Sequence, residues 1–133
     1  MFDPSTRVLI VDDMSMMRKV ILKVVKTLGF EDITEAQDGN AAWEELQKAA
    51  PVAPFGLVIS DWVMPNCTGL DLLKKIRADE KFKSIPVVMI TAEAEQHQII
   101  EAVKAGVNSY IIKPFTSEDL RQKLEGVHKK IAG

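Results

Sequence analysis

Val8-Leu9-Ile10-Val11-Asp12-Asp13 decides how the chain is read: four apolar residues, three of them β-branched, stopped by two adjacent acids. The run is strand-length, and it lacks polar alternation. That is how a strand covered on both faces reads, as in a parallel sheet. The pattern recurs outward from it. Leu57-Val58-Ile59 ends in Ser60-Asp61, Val87-Val88-Met89-Ile90 in Thr91, and Tyr110-Ile111-Ile112 in Lys113-Pro114. Ile33-Thr34-Glu35-Ala36 is a weaker fifth run.

Helical patterns fill the intervals. Met17, Val20, Ile21, Val24, Val25 and Leu28 recur on one face, and Gly29 supplies a stop. Trp43 and Leu46 make a shorter stripe after Asp38-Gly39. Leu70, Leu73 and Ile76 make a third, opened by Thr68 with Asp71 three residues on, a capping arrangement. Ile99, Ile100 and Val103 are expected to face inward on a fourth helix ending at Gly106. Leu120, Leu124, Val127 and Ile131 line a fifth, with Thr116 and Asp119 at its start. Strand and helix thus alternate five times. Short connections and right-handed crossovers then predict an α/β fold, a (βα)5 doubly wound parallel five-stranded sheet with helices on both faces. The stretch from Ala49 to Gly56, with Pro51 and Pro54, reads as a surface loop before the third strand.

A chain of 133 residues suits one domain, 1–133. Such a domain buries about two thirds of its unfolded surface and needs no metal or disulfide staple. Hydrophobic residues are 47% and charged residues 27%, with a net charge of −2, which gives no electrostatic case for nucleic acid as a partner. Cys67 is the one cysteine, so no internal disulfide forms, which fits a reducing compartment. The N-terminus does not read as a signal peptide and no apolar run is long enough to span a membrane, so a cytoplasmic location is expected.

In open α/β sheets, ligands bind beyond the carboxyl ends of the strands. The residues just after the apolar runs are Asp12, Asp13, Asp61, Thr91 and Lys113. If the first and third strands are neighbours, three carboxylates converge. Two carboxylates ~4 Å apart repel by about 4 kcal/mol at an effective dielectric of 20, and a divalent cation relieves this. Mg²⁺ takes one or two carboxylates, keeps several waters and accepts phosphate oxygens. The pattern therefore suggests a magnesium cradle with room for a phosphoryl group. Asp61, alone after its strand, is the best nucleophile for an aspartyl phosphate. Asp12 and Asp13 are the better metal-holding pair, while Lys113 and Thr91 can supply charge and a hydroxyl to phosphoryl oxygens. Any one of these residues would ordinarily be a loop or cap residue; their recurrence at the same kind of position makes the case for function. Other chemistries on this architecture lack their motifs. Asp12-Asp13-Met14 would repel an FMN phosphate, adjacent acids do not fit a haloacid-dehalogenase phosphatase, and no Gly-rich loop ends in Lys-Ser/Thr.

Over essentially its whole length the chain resembles the receiver domains of two-component response regulators, and among them those of chemotaxis. Ile59-Ser60-Asp61-Trp62, Met64-Pro65, Gly69-Leu70, Ile90-Thr91-Ala92-Glu93-Ala94, Lys113-Pro114-Phe115 and Met16-Met17-Arg18 carry the likeness. The resemblance implies the flavodoxin-like strand order 2-1-3-4-5 and a monomer without an output domain. It implies Asp61 as phosphoacceptor, and Mg²⁺ held by Asp12, Asp13, Asp61 and the backbone carbonyl of Val63. Thr91 and Lys113 would contact phosphoryl oxygens, and Thr91 and Tyr110 would form the switch. Lys113-Pro114 would be a cis peptide. The implied partners are a CheA-like histidine kinase as donor and a flagellar motor switch protein or other target at the face of the fourth helix, fifth strand and fifth helix. The other reading of the same resemblance is a stand-alone receiver serving as adaptor or phosphate sink. The protein would be no enzyme beyond its own phosphorylation and dephosphorylation.

Two departures stand out. Val63 occupies a position that is often polar in chemotaxis members and lies, with Glu93, on the path of hydrolytic water; an altered self-dephosphorylation rate is expected. Glu95-Gln96 opens the fourth helix where well-known members are basic, which bears on partner choice. Cys67 reads as an inert thiol, Trp62 as a partly buried loop aromatic beside Asp61, and His97 and His128 as solvated.

Overall fold

The computed structural model describes residues 2–49, 53–62, 68–91 and 96–132, with backbone alone at 96–98 and 132. Its elements alternate as the apolar runs require: β1 (Val8–Val11), α1 (Ser15–Thr27), β2 (Ile33–Ala36), α2 (Gly39–Ala49), β3 (Leu57–Asp61), α3 (Gly69–Ala78), β4 (Val87–Thr91), α4 (Gln96–Ala105), β5 (Ser109–Ile112) and α5 (Ser117–Ala132). All strand pairs are parallel, in the order β2-β1-β3-β4-β5.

The uninterrupted apolar strands are explained by two cores, one on each face. Leu9, Val11, Val58, Val87 and Met89 point to one face with Leu46, Leu72, Leu73 and Ile76 from α2 and α3. Val8, Ile10, Leu57, Ile59, Val88 and Ile90 point to the other with Ile21, Val25, Leu120, Leu124 and Val127 from α1 and α5. Full burial of one such side chain is worth about 1.5–3 kcal/mol, more than a helix cap at about 1 kcal/mol. This is how α1 persists although Met14, its N-cap residue, provides no side-chain cap.

Local signals hold elsewhere. Thr68 and Asp71 form a reciprocal capping box on α3. Thr116 and Asp119 bond each other's backbone N–H groups in the same way before α5. Gly29 and Gly106 end α1 and α4 with φ of +104° and +97°, a left-handed turn that a Cβ would oppose.

Four apolar residues assigned to inward stripes do not face inward. Val20 on α1, Ile100 and Val103 on α4, and Ile131 on α5 are exposed. A helix laid on a sheet buries only the line of residues against it: Ile21 and Val25 on α1, Ala102 on α4, and Leu120, Leu124 and Val127 on α5. His128, expected to be solvated, is half-buried, with its ring 5.2 Å from that of Phe2. Among the described residues, no helix is long and apolar enough to cross a membrane.

Candidate functional site

Parallel pairing brings the strand ends to one rim. Val11 lies beside Ser60, Asp61 beside Ile90, and Thr91 beside Ile112. Asp12, Asp61, Thr91 and Lys113 therefore emerge together although they are far apart in the chain. Asp12 is fully buried and Asp61 and Thr91 nearly so, while Asp13 is exposed.

Lys113 sits between the acids. Its ammonium lies 3.4 Å from an Asp12 carboxylate oxygen and 3.6 Å from one of Asp61. The other Asp12 oxygen accepts the Met14 N–H at 2.9 Å, and the other Asp61 oxygen accepts the Trp62 N–H at 2.8 Å. The Lys113 backbone N–H donates to the Thr91 carbonyl at 2.8 Å, which carries the β4–β5 pairing to the rim. Asp12, Asp13 and Asp61 each offer an oxygen within 4.8 Å of the others. Three carboxylates thus cluster here, and one ammonium pairs with two of them. Burial lifts the Asp61 carboxyl above its ordinary value; Lys113 and the Trp62 N–H pull it down, and Asp12 and Asp13 push it up.

These donors suit a hard cation. All are carboxylate oxygens, without nitrogen or sulfur, and they are close enough to share one ion. Oxygen-only sets of this kind are the ones that select Mg²⁺ or Ca²⁺.

Two neighbours complete the rim, and neither was assigned a role from the sequence. At Gly69 an added Cβ would lie 2.2 Å from the Asp61 carbonyl oxygen, so α3 can begin against the end of β3 only without a side chain there. The Gly69 N–H donates to the Trp62 carbonyl at 2.9 Å, fixing the turn after Asp61. Arg18 donates to the Asp12 carbonyl at 2.6 Å and pairs with Glu35 at 3.4 Å. Gly69 belongs to the Gly69-Leu70 segment that resembles receiver domains, but its contact depends on how α3 docks.

The other expected residues are placed as follows. Tyr110 is half-buried on β5, with the Lys123 ammonium 5.4 Å from its ring centre. Trp62 is half-buried against the α2–α3 core. Lys113-Pro114 is cis. Val63, Met64, Pro65, Cys67, Glu93 and Glu95 lie outside the described residues, as do the side chains of Gln96 and His97.

With this geometry in view, comparison with known proteins identifies the class. The response regulator receiver domain matches residues 8–125. The chain is 46% identical over 127 residues to the chemotaxis protein CheY of Pseudomonas aeruginosa, covering 96% of this chain and 99% of that protein. It is 50% identical over 121 residues to CheY1 of Helicobacter pylori strain J99, covering 91% and 95%. The crystal structure of Vibrio cholerae CheY4 at low pH superposes with a TM-score of 0.83 at 31% identity, over 92% of this chain and 98% of that one. The chain belongs to the response regulator receiver domain family. Within it the chain is CheY-like, a receiver of the two-component, chemotaxis type.

Proposed function

We propose that the rim is a Mg²⁺-dependent phosphoryl-acceptor centre with Asp61 as the nucleophile. The observation that carries this is the mismatch of charge: three carboxylates whose oxygens lie within 4.8 Å of one another, with one lysine between two of them. A purely structural cluster would be expected to balance. This one leaves negative charge that a cation would offset, beside a buried carboxylate able to attack phosphorus.

In the transfer, an Asp61 carboxylate oxygen forms the new P–O bond as the P–N bond of a donor phosphohistidine breaks. The imidazole leaves with the electron pair and takes a proton from solvent. Asp12, Asp13 and Asp61 would hold the ion, with the Val63 carbonyl as a further ligand, and a bound Mg²⁺ would neutralise charge on the transferring oxygens. Lys113 would bind a phosphoryl oxygen once Asp61 carries the group, and Thr91 would donate its hydroxyl. Drawing Thr91 inward would vacate space for the half-buried Tyr110 ring. The face of α4, β5 and α5 would then favour a target, as a population shift.

The donor is a histidine kinase. The target is a flagellar motor switch protein or a comparable protein, in keeping with relatives named as chemotaxis proteins. The chain acts as a monomeric cytoplasmic switch.

Intact mass spectrometry after incubation with acetyl phosphate and MgCl₂ tests the reading. One labile phosphate per chain is expected, absent without the metal and absent in Asp61→Asn. Full incorporation in Asp61→Asn would remove Asp61 from the role.

A further inference from the structure

The peptide joining Asp12 to Asp13 carries two candidate ion ligands, one on each side. Its carbonyl, that of Asp12, is held by a side chain. Arg18, in the first turns of α1, donates Nη1 to that oxygen at 2.6 Å. The guanidinium is itself held from the other side, with Nε 3.4 Å from Glu35 of β2. The Asp12 N–H donates to the Ala36 carbonyl at 3.2 Å. Both peptide planes that flank Asp12 are therefore tied to β2, one directly and one through Arg18. Asp12 is further held by Met14 and Lys113 through its carboxylate. Among the described residues nothing holds the Asp13 carboxylate in this way, and it is exposed. Its direction depends on the plane of the peptide that precedes it.

We propose that Arg18 is a positioning residue for the acidic centre: bridged to Glu35, it fixes the Asp12–Asp13 peptide plane and so aims the Asp13 carboxylate at the ion. The inference rests on the metal reading above. Arg18 touches neither ion nor substrate and acts through Asp13.

The consequence is specific to the ion. Mg²⁺ demands near-ideal octahedral geometry with short bonds, whereas Ca²⁺ accepts irregular shells and longer ones. A loosened Asp13 should weaken Mg²⁺ much more than Ca²⁺. A general loss of structure would weaken both alike.

Calorimetric titration of the folded protein with MgCl₂ and with CaCl₂ tests this on wild type, Arg18→Ala, Arg18→Lys and Glu35→Gln. Arg18→Ala should lose about tenfold in Mg²⁺ affinity, the lower end of the usual effect of residues that orient a metal ligand, and less than about threefold in Ca²⁺ affinity. Arg18→Lys keeps one donor for the Asp12 carbonyl and should recover part of the loss even if the alanine variant folds poorly. Glu35→Gln should fall between Arg18→Lys and wild type. Unchanged Mg²⁺ affinity in Arg18→Ala, or equal losses for the two ions, would overturn the proposal. Absence of Mg²⁺ binding in wild type would instead overturn the metal reading on which it rests.

Discussion

The two rims of the sheet both gather charge, and they treat it oppositely. At the carboxyl rim three acids cluster, one lysine pairs with two of them, and the balance stays negative. At the amino rim Arg77 makes four hydrogen bonds within the chain. Its guanidinium donates to the carbonyls of Gly106, Lys83 and Ile85 and to the Asn108 side-chain oxygen, at 2.7–3.2 Å. That same Asn108 oxygen accepts the Val87 N–H at 2.8 Å. Arg7, on the same side of the sheet, pairs with Asp32, donates to the Ala53 carbonyl and lies 4.4 Å from the centre of the Phe55 ring. The two arginines of the amino rim are set among acceptors of the chain, whereas the acids of the carboxyl rim outnumber the lysine beside them.

The largest expected effect that sharpens this contrast is at Arg77. Arg77→Ala removes four donated bonds and takes a donor from the part-buried carbonyls of Gly106 and Ile85, at a cost of about 3 kcal/mol. Urea unfolding measures it, and Arg77→Lys should recover less than half because one ammonium cannot reach four acceptors. A loss below 1 kcal/mol would mean that the knot is ornamental. Next is Gly69→Ala. The new Cβ would collide with the Asp61 carbonyl, and backbone shifts of this kind cost about 2 kcal/mol. Because the shift falls on the end of β3, acetyl phosphate labelling should drop along with stability.

Asp61→Asn should move the other way. In the fold, burial holds the Asp61 carboxyl above its ordinary value of 3.8. Its ionised form is therefore the less favoured one in the folded protein, and the stability that goes with the proton is fully present below pH 3.8 and lost as pH rises through the raised value. At neutral pH without metal, Asp61→Asn should be more stable than wild type, by about 1 kcal/mol, a usual size for a single site. The gap should close on acidification. Adding MgCl₂ should reverse the ranking, since an ion bound only by the folded wild type stabilises it. A wild type that is the more stable form in metal-free buffer at pH 7 would contradict the imbalance. The smallest effect belongs to the exposed α4 residues: Ile100→Gln and Val103→Gln should each stay within about 0.5 kcal/mol of wild type.

Most of the fold was legible because the central parallel strands are buried on both faces and so read as nearly uninterrupted apolar runs. Val8–Val11 and Val87–Thr91 are buried at every position. The rim residues were legible for the complementary reason: Asp12, Asp61, Thr91 and Lys113 stand where each apolar run stops, and the topology carries those stops to one edge. The strand order, the Val63 carbonyl as a ligand and the switch pair Thr91 and Tyr110 came from likeness to a known family and not from periodicity. What escaped depends on distances across the fold. Arg77 and Asn108 lie 31 residues apart in the chain and meet only when α3 and β5 are docked. Gly69 resembles any helix-start glycine until α3 closes on β3. Val20, Ile100, Val103 and Ile131 fit the helical period, but a sheet covers too narrow a stripe of each helix to bury them.

The division of the two rims is tested most directly by calorimetric titration with MgCl₂ of wild type, Arg77→Ala and Asp13→Asn, each under conditions where it is folded. One ion per chain should bind wild type and Arg77→Ala with affinities within about twofold, while Asp13→Asn should lose at least about tenfold. No binding to wild type, or equal binding to Asp13→Asn, would contradict a carboxyl rim left negative in order to hold a cation.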